Sequence, residues 1–72
     1  MKKSEFKAII KDRAADGIVG DRVVDIDIWD SSDGKKEWIG VVITVSRNHV
    51  VTKSSYYLAF DNSVRFLDSK VM

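Results

Sequence analysis

A chain of 72 residues with no cysteine, no proline and a net charge of +1 excludes several classes at once. It has no disulfide framework, thiolate nucleophile or cysteine zinc site, and no apolar run long enough to span a bilayer. The near balance of 12 basic against 11 acidic side chains gives no global reason to expect nucleic acid, and the length allows a single domain.

Residues 4–16 form the first predicted element. Phe6, Ile9, Ile10 and Ala14 recur at helical spacing and make one narrow apolar stripe. Ser4 is placed to cap the first turn, Glu5 suits the positive end of the helix dipole, and Gly17 supplies a stop. The Lys3, Lys7, Lys11 and Asp12 side reads as a solvated face.

After Gly20 the period changes to two. Valine and isoleucine number 17 against two leucines, a bias toward pleated sheet. A strand over about 22–30 places Val24, Ile26 and Ile28 on one side. A second, over about 37–46, does the same with Ile39, Val41, Ile43 and Val45. Asp33-Gly34 between them predicts a two-residue hairpin in which Trp29 faces Trp38 and Ile26 faces Val41. A two- or four-residue turn around Asn48-His49 leads to a third strand over about 50–60, with Ser54 a weak point that predicts a bulge near Lys53–Ser55. Asp61-Asn62-Ser63 turns the chain again, and the alternation of Val64, Arg65 and Phe66 favours a fourth strand over 64–67 rather than a short helix. The expected fold is α+β: an N-terminal amphipathic helix on one face of an antiparallel meander of about four strands. A small curled, SH3-like barrel with the helix at one end is the alternative.

On this register the sheet face left open carries Asp25, Asp27, Trp29, Trp38, Val42, Thr44, Lys53, Tyr57 and Arg65. The expected binding residues are Trp29, Trp38, Tyr57, Asp25, Asp27, Lys53 and Arg65, with Tyr57 covering Gly40. Cross-strand aromatics brace a hairpin, and they are also the residue types that anchor interfaces. Residues 21–34 carry a net charge of −4, an acidic ribbon on an otherwise basic chain. Such a field steers a basic partner and disfavours a phosphate backbone.

Catalytic chemistry finds no footing. An EF-hand loop begun at Asp25 would need a ligand at Trp29 and a glycine at Asp30, which neither residue supplies. His49, the single histidine, reads as a loop residue, and the four glycines form no phosphate-cradling loop. The sequence therefore predicts no enzyme, no cofactor and no metal site. It predicts a cytoplasmic, non-membrane protein–protein interaction module, an adaptor or inhibitor of a larger assembly, working through the aromatic face. Short cysteine-free chains of this kind occur among phage and mobile-element accessory proteins, an analogy of composition alone. Single-stranded nucleic-acid binding, with Lys35, Lys36, Arg47, Lys53 and Arg65 as cations, is one alternative. A homodimer that buries the face is the other. On the interaction reading, Trp38→Ala abolishes partner binding while the fold survives.

Overall fold

A computed structural model describes residues 1–15 and 22–72. Helix α1 (Lys3–Ala15) is followed by strands β1 (Arg22–Asp30), β2 (Lys36–Val45), β3 (Val51–Ala59) and β4 (Val64–Val71). The strands form one antiparallel sheet in the order β1-β2-β3-β4, with α1 against one face. This is the expected α+β arrangement, and the tail after Ser63 is a strand that runs on to Val71.

The helix forms because one stripe is apolar and its ends suit the dipole. Phe6, Ile10 and Ala14, spaced four apart, are buried, while Ile9 at the stripe's edge is half-buried. Glu5 lies in the first turn and Arg13 in the last. The cap differs from expectation: the Lys2 carbonyl accepts the Glu5 and Phe6 N–H groups, each at 3.1 Å, so Ser4 is inside the helix. At the other end Arg13 Nη1 donates to the Val64 carbonyl at 2.7 Å and ties the helix to the start of β4. The expected stop at Gly17 lies outside the described residues.

Two of the three turns differ from expectation in length, and length sets which way each strand faces. Between β2 and β3, Ser46 N–H donates to the Val50 carbonyl and His49 N–H to the Ser46 carbonyl, both at 3.0 Å. His49 is left-handed at φ 61°. This is a three-residue loop that ends on a left-handed residue, not the expected two- or four-residue turn. The β3–β4 connection has the same three-residue form, which is the length expected, but sits one residue earlier, at Phe60-Asp61-Asn62. Ala59 N–H donates to the Ser63 carbonyl at 2.9 Å, and Asn62 stands at φ 67°. Asp33-Gly34 is likewise no two-residue turn, because Ser31 N–H reaches the Glu37 carbonyl at 3.2 Å around a longer loop. Asp33 organises that loop by accepting from Lys35 N–H at 2.9 Å and from Lys36 Nζ at 2.8 Å.

An odd loop where an even one was expected moves a strand by one residue, which turns its side chains to the opposite face. The predicted pairing holds at the base of the first hairpin, where Arg22 meets Val45 and Val23 meets Thr44. Past an extra residue at Val24 it slips by one, so that Ile26 meets Val42, Ile28 meets Gly40 and Trp29 meets Ile39. Strand β3 keeps its expected face, and β1 does so from Asp25 on; at the start of β1 it is Val23 that packs on the core, while Val24, expected there, is 48% exposed. Strand β2 is reversed: Trp38, Gly40, Val42 and Thr44 point toward the helix, and Ile39, Val41 and Ile43 point away.

Gly40 explains the choice. A Cβ there would lie 2.5 Å from Ile10 Cδ1 and 3.0 Å from Phe6 Cε2. The helix seats two side chains directly on bare backbone, a close approach that only glycine permits. The core is thus Phe6, Ile10 and Ala14 over Val42, Tyr56 and Leu58, with Ile26, Ile28, Trp38 and Val64 at its margin. Phe6 and Trp38 rings pack at 5.9 Å between centroids, and Lys3 Nζ lies 5.6 Å from the Trp38 ring. The bulge expected in β3 at Lys53–Ser55 does not occur, since its pairing with β2 is regular there; the β3–β4 ladder instead shifts between Ser55 and Tyr56, with the extra residue, Leu67, on β4. Ser54 itself is buried, and its hydroxyl meets that of Ser69 at 3.3 Å.

Candidate functional site

The face opposite α1 is built as three rungs, each a row of side chains from neighbouring strands. The first runs Asp25–Ile43–Lys53–Lys70, the second Asp27–Val41–Ser55–Asp68 and the third Trp29–Ile39–Tyr57–Arg65. Alternation along each strand puts these residues on one side. Among the described residues no element crosses this face.

Its centre is aliphatic. Val41 is only 8% exposed, sheltered by the neighbours of its own rungs, while Ile39 and Ile43 are half-buried. Trp29 is 44% exposed and rises from the outer strand. Asp25, Asp27, Trp29, Val41, Ile43 and Lys53 enclose a shallow, open hollow of about 210 Å³. Its floor is two β-branched residues, one wall is acidic and the opposite wall is a lysine.

Of the seven residues expected to bind, six lie on this face: Asp25, Asp27, Trp29, Lys53, Tyr57 and Arg65. Trp38 does not. It sits under the helix beside Phe6, so there is no Trp29–Trp38 cross-strand pair. Val42 and Thr44 are likewise buried on the helix side. The residue opposite Gly40 is Tyr56, not Tyr57. Tyr56 is buried, and its ring meets Phe66 edge-on at 5.5 Å; burial raises its hydroxyl above the ordinary tyrosine range. In place of Trp38, Val42 and Thr44 the open face carries Ile39, Val41 and Ile43. Gly40 was the signal that could have found them, since a glycine inside a strand marks close backbone approach.

Charge around the face is arranged unequally. Among the described residues the ion pairs are Lys3–Asp30 at 3.4 Å, Lys36–Asp33 at 2.8 Å and Arg65–Asp61 at 3.8 Å. The bond from Lys36, followed by that from Lys35 N–H, holds the Asp33 carboxyl below the usual aspartate value. The hydroxyl and N–H of Ser63 do the same for Asp61. Lys36 also lies 5.2 Å from the Tyr57 ring, at the rim of the third rung. Asp25, Asp27 and Lys53 enter none of these pairs. Their charges face the hollow.

Elsewhere in the described residues no three histidine, cysteine or carboxylate side chains gather in a metal-holding group. No helix there is long and apolar enough to cross a membrane. Compared with known proteins, the chain matches no family model, no curated protein and no solved structure.

Proposed function

We propose that this chain is a non-catalytic protein–protein interaction module, an adaptor or inhibitor of a larger assembly, that docks through the open face of its sheet. One observation carries the reading. The strip Trp29, Ile39, Val41, Ile43 and Tyr57 is uncovered by any described element, and charges of both signs rim it. An apolar centre with aromatic anchors and a polar rim is the anatomy of a protein interface. Trp29, 44% exposed, is the anchor a partner would cover, with half-buried Ile39, Ile43 and Tyr57 beside it.

The chemistry of the rim argues against nucleic acid as the occupant. Asp25 and Asp27 stand where a phosphate backbone would run, and the centre is aliphatic where bases would need aromatic platforms. The central strand holds the floor rigid, hydrogen-bonded on both sides by β1 and β3. Little ordering is then required on docking, which favours affinity.

The test is a methyl-labelled NMR titration with a partner recovered by affinity capture. Binding perturbs the Ile39, Val41 and Ile43 methyl groups and the Trp29 indole, and leaves Ile10 and Val42 unmoved. Trp29→Ala weakens binding by about 2 kcal/mol, the scale of an interface hot spot. Perturbations confined to the helix's polar face, or an unchanged affinity for Trp29→Ala, would overturn the reading.

A further inference from the structure

We infer that the occupant this face fits is a second copy of the same chain, packed face to face about a two-fold axis that runs along β2. The inference rests on the reading of the open face as a protein interface and names what occupies it in the absence of a larger partner. A two-fold axis parallel to β2 lays β1 of each copy over β3 of the other and β2 over β2. The three rungs are self-complementary under that operation. In the first, Asp25 meets Lys53 of the second copy, and the reverse contact repeats it. In the second, the Asp27 carboxylate meets the Ser55 hydroxyl. In the third, Trp29 meets Tyr57, while Ile39, Val41 and Ile43 stack on themselves along the axis.

The alternative two-fold, across the strands, fails on charge. It would set β1 over β1 and bring Asp25 and Asp27 of both copies onto one edge, where like charges repel. Only the axis along β2 pairs the acidic wall of each copy with the lysine wall of the other. Stacked sheets stand about 10 Å apart, a gap that an aspartate and a lysine reach across together. The helix lies on the far side of each sheet and does not interfere. Strand β4 overhangs the contact, leaving Arg65, Asp68 and Lys70 at its rim.

The footprint is small. Three rungs on three strands cover about 300 Å² per partner, from strand spacing and rise. A standard interface buries about 800 Å² per partner, so the dimer is weak, micromolar or looser.

The experiment is sedimentation equilibrium of the full chain from the low micromolar range to about 1 mM, a span set by that expected affinity. It compares the parent chain with Asp25→Lys, with Lys53→Asp, with the two variants mixed, and with both changes in one chain. Both positions are exposed, and circular dichroism checks each fold. The parent is expected to approach twice the mass of one chain as concentration rises. Either single reversal places like charges in both contacts and weakens association about tenfold or more. Mixing the two restores it, because each copy then meets its opposite, and so does the double reversal. Restoration on mixing requires the contact to lie between chains. A single-chain mass throughout, with Trp29→Ala still losing a captured partner, overturns this inference and leaves the interface reading standing. A dimer indifferent to the reversals overturns the axis proposed here. A single-chain mass with no effect of Trp29→Ala on capture overturns both.

Discussion

Gly40→Ala is a change of one methyl group whose sign reports which way β2 faces. On an uncovered sheet face the substitution would stabilise by about 0.5–1 kcal/mol, since alanine loses less backbone entropy on folding than glycine. Under the helix the added Cβ meets Ile10 Cδ1 at 2.5 Å and Phe6 Cε2 at 3.0 Å. Ile10 Cδ1 ends a rotatable side chain, yet Ile10 and Phe6 are both 0% exposed and have little room to move. Overpacking of a filled core costs about 1–3 kcal/mol, so the net expectation is a loss of about 1–2 kcal/mol. For a domain of this size each kcal/mol lowers Tm by about 4–8 °C. Urea unfolding measures it, with Trp29→Phe as the background so that Trp38 alone reports on the helix–sheet contact. Removing the offending atom supplies the control. Ile10→Val costs about 0.5–1.5 kcal/mol in the parent and little or nothing beside Gly40→Ala, a coupling that a double-mutant cycle reads directly. A stabilising Gly40→Ala, or strictly additive effects, would refute the packing described here.

The two tryptophans are expected to separate by role. Trp38→Ala destabilises by about 2 kcal/mol through lost packing on Phe6, whereas Trp29→Ala shifts the urea midpoint little; equal effects would contradict their placement on opposite faces. His49→Gly relieves a left-handed residue and stabilises by about 0.5 kcal/mol, while His49→Val costs more than 1 kcal/mol, both read from Tm. The lowered Asp33 and Asp61 carboxyls mean that the folded chain binds fewer protons than the unfolded one in mild acid. Their contribution is therefore present above the ordinary aspartate value of 3.8 and fades as pH falls through the lowered folded values. Asp33→Asn combined with Asp61→Asn flattens that acid limb of stability against pH, and an unchanged limb would show that other groups set it.

How much of this could be read from residues alone depended on whether a strand's two sides differ. Strand β1 alternates isoleucine with aspartate, so its buried side is plain; β3 alternates serine, tyrosine and leucine with polar or amphipathic neighbours, and it too faces as expected. Strand β2 is apolar on both sides, Ile39, Val41 and Ile43 against Trp38, Val42 and Thr44. Alternation cannot choose between them. The Asp33-Gly34 pair points to a two-residue turn, but the loop is longer and Asp33 serves as its hydrogen-bonding hub rather than a turn corner. The loops at Arg47-Asn48-His49 and Phe60-Asp61-Asn62 end on left-handed histidine and asparagine, residue types that tolerate that region without advertising it as glycine does. The odd length of the first is therefore hard to foresee, and the second stands one residue before the expected Asp61-Asn62-Ser63. What did distinguish the faces was the absence of a side chain at Gly40, a steric fact that becomes informative only once a helix is placed over it. The candidate site inherits this. Its charged and aromatic walls were visible residue by residue, and its aliphatic floor was assigned to the wrong side.

The most direct test of the account is solvent paramagnetic relaxation with a soluble, neutral gadolinium chelate, read at the isoleucine and valine methyl groups in dilute protein. Enhancement is expected at Ile39, Ile43 and, most strongly, the Trp29 indole, with Ile10 and Val42 protected. Protected Ile39 and Ile43 beside an enhanced Val42 would place the helix on the other face of β2, and the proposed interface would fall with it.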